Sequence, residues 1–187
     1  MKPNQDNKVN IVIFKEMLGL MRAAMRDPYF EWKTLDIDYY PPRVERLWTC
    51  IKYNDSVYRV HLHLIHRTSE ECLFHKHRWP AVFKQISGSY ETAFAYSEDE
   101  IASEEAHRLS PIAKLIVTPG TYQEMTQTDA LHYVKPITKE SLSIMLTQDL
   151  YNEASYRKET SHGELKELSE TRKLEILEKF IAAWDQL

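Results

Sequence analysis

The sequence predicts a mainly β protein, an antiparallel sandwich or barrel with one α-helix at each end. Three observations carry that expectation. Between residues 44 and 147, short runs rich in β-branched and aromatic residues recur between turn signals, without intervening helices. Residues 10–26 and 163–187 instead place apolar side chains at helical spacing. The composition, 43% hydrophobic with only 4 glycines in 187 residues, suits one compact domain with a full core.

Taken in order, the first helix spans 10–26, where Phe14, Met17, Leu18, Met21 and Met25 share a face and Asp27-Pro28 is the stop. The methionines read as core packing, since Met fills irregular gaps. Residues 28–42 are aromatic and punctuated by proline, an irregular connection wrapping over the body of the domain. Strands follow at 44–53 and 57–66, joined by the turn signal Asn54-Asp55-Ser56. Further strands are expected at 72–77, 81–87, 89–96, 113–118, 121–125, 131–135 and 141–147. The acidic stretch 97–110 is a solvated loop or short exposed helix. In the tail, Leu174, Leu177, Phe180, Ile181 and Trp184 form a stripe that packs on the domain or serves a homodimer. The division is 1–43, N-terminal helix and wrapping segment; 44–150, barrel; and 151–187, C-terminal helix packed on the barrel.

The totals exclude several functions. A net charge of −4 is no footprint for nucleic acid. No apolar run approaches the ~18 residues a membrane span needs, and the polar first ten residues lack a signal-peptide layout. Cys50 and Cys72 form neither a CxxC pair nor a disulfide framework. These point to a soluble protein of the cytoplasm that acts on a small molecule, not on nucleic acid or membrane.

The chemistry centres on His75-Lys76-His77. In a strand, side chains alternate, so this pair places both imidazoles on one face. With a third ligand, two neutral imidazoles make an open site for Fe(II), Zn, Ni or Mn. A solvated surface pair is the bland alternative. A second pair, His61 and His63, alternates with Val60, Leu62 and Leu64 but lacks a glycine landmark, and reads as sheet-face histidine. His66 and His107 have no supporting context.

Two stretches go further. Phe74-His75-Lys76-His77-Arg78-Trp79-Pro80 continues to Ile86-Ser87-Gly88-Ser89-Tyr90-Glu91. Later, with His132 lying 55 residues after His77, Thr118-Pro119-Gly120-Thr121-Tyr122 continues to Leu131-His132-Tyr133-Val134. Together they resemble the two-motif signature of the cupin superfamily, whose members are double-stranded β-helix (jelly-roll) barrels; the resemblance covers about residues 44–150. Within that superfamily the chain most resembles thiol dioxygenases of the cysteine dioxygenase type and related small uncharacterised cupins. The resemblance implies His75, His77 and His132 as metal ligands and Fe(II) as the metal, with Zn, Ni or Mn as alternatives.

The chain departs from that pattern in three places. Where most cupins supply a ligand Glu, Ala81 and Val82 stand; the thiol dioxygenase's cross-linked cysteine is missing; and Thr126-Gln127-Thr128-Asp129 replaces a Pro-x-Gly turn. The resemblance therefore implies a three-histidine site, with Glu91 or Glu124 in place of His132 as the next expectation. It also implies an arginine for a substrate carboxylate, for which Arg46 and Arg59 are candidates. Gln85 has the strand parity to face the site, and Tyr133 or Tyr90 offers a phenol. The expected activity is that of a mononuclear non-haem iron dioxygenase taking a small thiol or carboxylate and O2. A metal-dependent isomerase or lyase, or a non-catalytic small-molecule-binding barrel, are the alternatives.

Overall fold

The computed structural model describes residues 9–38, 41–76, 79–95, 109–126, 131–148 and 166–186. Helix α1 (Ile11–Arg26) is capped by Asn10, whose side chain accepts from the backbone N–H of Ile13. Ten strands follow: β1 (Lys33–Ile37), β2 (Val44–Tyr53), β3 (Ser56–His66), β4 (His75–Lys76), β5 (Ala81–Ser87), β6 (Tyr90–Ala95), β7 (Ala113–Val117), β8 (Tyr122–Met125), β9 (Leu131–Pro136) and β10 (Glu140–Gln148). Helix α2 (Glu170–Trp184) comes last, capped by Ser169. No described helix is long and apolar enough to cross a membrane.

The strands form two antiparallel sheets, in the orders β1-β2-β3-β10-β5-β8 and β4-β9-β6-β7. From β3 to β10 the chain passes back and forth so that the first strand pairs the last, and each sheet takes four of the eight. That interleaving is the jelly-roll, a double-stranded β-helix, with β1 and β2 extending one sheet and a helix at either end.

Strand β1 corrects the expectation of an irregular wrap. Lys33 to Ile37 pair in register with Trp48 to Val44, and alternation buries Leu35 and Ile37. The period-two pattern is only five residues long and is hidden among tyrosines and prolines. The C-terminal helix starts later than expected, at Glu170, because Lys166 is extended and bridges Asp36. Its buried stripe is Ile176, Leu177 and Phe180; Trp184 is only partly buried and Leu174 is exposed. Residues 163–165 of the expected helix lie outside the described residues.

The main apolar core lies outside the barrel, between the six-stranded sheet and the helices. Val60, Leu62 and Leu64 of β3, Leu142, Ile144 and Leu146 of β10, and Val82 and Ile86 of β5 meet Phe14, Met17 and Met21 of α1 and Ile176 and Phe180 of α2. Since alternate residues point to opposite faces, Arg59, His61 and His63 of β3 and Ser143 of β10 are turned to the barrel interior.

An ion-pair lock fixes α2. Glu45 is 2% exposed on the helix side of β2. Its carboxylate accepts from Arg172 Nε at 2.8 Å and Nη2 at 2.5 Å, and His66 Nε2 lies 2.6 Å from Oε2. Burial would raise the pKa of Glu45, but the hydrogen bonds from Arg172 and His66 override it and bring it down to about 2.

Two predictions follow from this architecture. Arg172→Ala is expected to cost up to about 3 kcal/mol, since it takes the two-pronged partner from a buried carboxylate and leaves it His66 and the more distant Arg43. Because Glu45 titrates lower when folded, its contribution is complete above its unfolded value and is lost as pH falls from about 4.5 towards 2. Urea unfolding across that range should show a steep loss in the parent and a shallower one in the variant; equal stability at neutral pH would refute the lock. Separately, Gly88 has φ +69°, and a Cβ there would lie 2.3 Å from the Glu140 carbonyl oxygen. Gly88→Ala should therefore destabilise the β5–β6 turn by at least about 1 kcal/mol, which thermal unfolding will read.

Candidate functional site

The barrel interior between the sheets contains a cavity of about 70 Å³. From the six-stranded sheet, Val44, Arg46, His63, Ile65, Phe83 and Ser143 line it; from the other sheet, His75, Tyr90, His132 and Val134. Most of the lining is apolar, with a few polar groups converging, as in small-molecule sites generally.

His75 and His132 face one another. They are register partners across β4 and β9, and their ring centroids are 4.5 Å apart. His132 is held between two aromatic rings, Phe94 stacked at 6.2 Å and Phe83 at 6.4 Å. His75 Nδ1 lies 3.2 Å from the Leu73 carbonyl oxygen. A carbonyl only accepts, so Nδ1 carries the proton and Nε2 keeps the lone pair. Burial pushes the pKa of His75 down, against the Leu73 hydrogen bond, and the nearby Arg46 charge adds to the fall. His77 and His107 lie outside the described residues.

The other candidates separate. Arg46 lines the cavity, directly across β2–β3 from His63. Arg59 does not; its guanidinium sits 4.6 Å from the centre of the Trp48 ring. Gln85 faces inward by parity, but its amide nitrogen donates to Ser141 Oγ at 2.7 Å and to the carbonyls of Ser87 and Gly88. Those bonds tie down the β5–β6 turn, and Gln85 is not part of the cavity wall. Tyr133, next to His132 in β9, points to the opposite face. It packs edge-on against Phe74 at 4.9 Å and donates to Glu91, and burial together with that carboxylate pushes its pKa up to about 12. Tyr90 is in the wall, its hydroxyl donating to Gln123 Oε1 at 2.8 Å, and burial raises its pKa.

The expectation of Glu91 or Glu124 as a substitute ligand is corrected by the same parity. Glu91 is engaged with Tyr133, and Glu124 faces α1, where it accepts from the backbone N–H of Ile11. At the positions of the usual cupin carboxylate, Ala81 faces inward without a donor and Val82 faces the helices. Reading His61 and His63 as an ordinary sheet-face pair missed that His63 is in the cavity wall. Its signal was present: a strand with one apolar and one imidazole face, beside two helices that need the apolar one. His66 belongs to the Glu45 lock.

No protein-family model and no curated protein matches the chain. Among solved structures it is similar to hydroxypropylphosphonic acid epoxidase from S. wedmorenis, at 11% identity and a TM-score of 0.43, over 63% of this chain and 55% of that one. It thus spans little more than half of that epoxidase. KdgF from Halomonas sp. is matched at 13% identity and a TM-score of 0.42, over 66% of this chain and 90% of that one. An RmlC-like cupin from Shewanella frigidimarina is matched at 12% identity and a TM-score of 0.43, over 69% and 93%. Likenesses this distant add nothing to what the strand order establishes and say nothing of what this chain acts on.

The geometry around His75 makes one direct prediction. In the metal-free protein, the imidazole proton resonances of His75 should titrate with a midpoint below the ordinary 6.5. A His75 midpoint at or above 6.5 in an NMR titration would show that the site is wetter than described.

Proposed function

We propose that the cavity holds one divalent metal on His75, His77 and His132, and that the protein is a mononuclear non-haem iron dioxygenase acting on a small thiol or carboxylate. The observation that carries the reading is the state of His75. Its Nδ1–H is committed to the Leu73 carbonyl, and its surroundings favour the neutral ring. Histidine ligands to metals are normally oriented in this way, by a carbonyl or carboxylate on the other ring nitrogen. His132 stands opposite with its ring fixed by Phe94 and Phe83. The donors present therefore fit a divalent ion, and His77 is brought in by the sequence motif alone.

Fe(II) so held would supply activation of O2 and of the chelating substrate; Zn, Ni or Mn would supply Lewis acidity in an isomerase or lyase instead. The chain's own residues do the rest. Arg46 offers a fork of donors that matches a carboxylate. Val44, Ile65, Phe83 and Val134 keep the cavity walls dry, which strengthens each polar contact made inside. Tyr90, neutral and bonded to Gln123, presents a phenol that does not ionise near neutral pH. The competing reading is a barrel that binds a small molecule without catalysis, in which the apolar lining and Arg46 hold the ligand.

The experiment is metal loading. Protein reconstituted anaerobically with Fe(II) is expected to retain about one equivalent after desalting. His75→Ala or His132→Ala should lose most of it, and Tyr133→Phe and Arg59→Ala should keep it. O2 uptake against thiols and small acids then separates dioxygenase from Lewis-acid chemistry. Protein that folds but retains no metal would hand the case to the non-catalytic barrel.

A further inference from the structure

Strand β3 crosses the barrel wall opposite His75 and His132, and its inward residues at the cavity are His63 and Ile65. In the sheet register His63 is flanked by Arg46 on β2 and Ser143 on β10. All three line the cavity, and His63 and Ser143 are 6% and 2% exposed. His75 and His132 come from the other sheet, so His63 meets them across the cavity. Among the described residues His63 does not join them in a three-residue metal cluster. It stands in a wall that, beside Arg46 and Ser143, is made of Val44, Ile65 and Phe83. A neutral imidazole offers one donor and one acceptor, and a hydroxyl offers both. Two such groups side by side in a dry wall are suited to grip one polar end of a small molecule.

We propose that His63 and Ser143 are substrate-contacting residues, hydrogen-bonding the polar group of a small thiol or hydroxy acid whose other end faces His75 and His132. The assignment rests on the reading of the cavity as a metal-dependent active site. It gives β3, which the sequence motifs leave without a role, the part of selecting the substrate.

The test uses the zinc-loaded protein, which is redox-silent, and thioglycolate as the probe, a small acid carrying both a thiol and a carboxylate. Zinc affinity is read by chelator competition and thioglycolate affinity by calorimetry. His63→Leu is expected to bind zinc like the parent and thioglycolate about tenfold more weakly, the size of one lost hydrogen bond to a charged ligand. His63→Gln, which keeps a donor and an acceptor, should recover part of the loss. Ser143→Ala should weaken the probe in the same sense, and it serves as the second variant if His63→Leu does not fold. Unchanged thioglycolate affinity in His63→Leu or, failing that variant, in Ser143→Ala overturns the proposal. So does a tenfold fall in zinc affinity in His63→Leu, which would make His63 a metal ligand, or a zinc-loaded parent that does not bind the probe. If His75→Ala leaves zinc affinity unchanged, it is the metal-site reading that fails, a result distinguishable from all of these.

Discussion

The contact on which the rest depends is the apolar face of β3, β5 and β10 against α1 and α2. Val60, Leu62, Leu64, Leu142, Ile144 and Leu146 are all fully or nearly fully buried there. Each such side chain contributes about 1.5–3 kcal/mol on leaving water. Among the described residues no comparable apolar cluster lies inside the barrel, where the buried group of Ala81, Phe83, Met125 and Met145 is small. Strand alternation then leaves no choice for the residues in between. Once the even-numbered side chains of β3 face the helices, Arg59, His61 and His63 must face inward. A polar interior is thus a consequence of where the helices dock, and the Glu45–Arg172 pair helps set the place where α2 docks.

The same rule sorts residues on the second sheet. Its outer face has its own apolar cluster, Phe74, Ala93, Ala95 and Leu131, against which Tyr133 packs. His132, one residue before Tyr133, is therefore turned to the cavity, and the phenol is excluded from it. Gln85 shows a different constraint. It faces inward, yet the tight turn at Gly88 leaves carbonyls that need a donor, and its amide supplies it. Inward parity is necessary for a site residue but not sufficient, because a buried amide is committed to whichever polar groups lie nearest.

Much of this was legible in the sequence for physical reasons that are local. Strands β2 and β3, their turn and helix α1 follow from periodicities of two or 3.6 and from turn residues, while the jelly-roll was what the resemblance of the two histidine motifs implied. The HxH strand and Leu131-His132 marked two groups that the register does bring opposite one another. What was not legible depends on contacts distant in sequence. Leu35 and Ile37 look like loop residues until β2 lies beside them. Glu45 looks like a surface carboxylate until Arg172, 127 positions later, closes over it. For His63 the missing piece was the choice of face, decided by helices at the two ends of the chain.

Electrostatics ties the cavity together. The Arg46 guanidinium is charged at any working pH, and its field reaches His75, where it reinforces the effect of burial on the imidazole. Both act in one direction, toward the neutral ring, the only form with a lone pair to offer. The Leu73 carbonyl then fixes which nitrogen keeps that lone pair. One fixed cation in a largely apolar wall therefore serves two ends at once. It adds to the burial that lowers the His75 pKa, and it favours an anionic group on whatever enters between them.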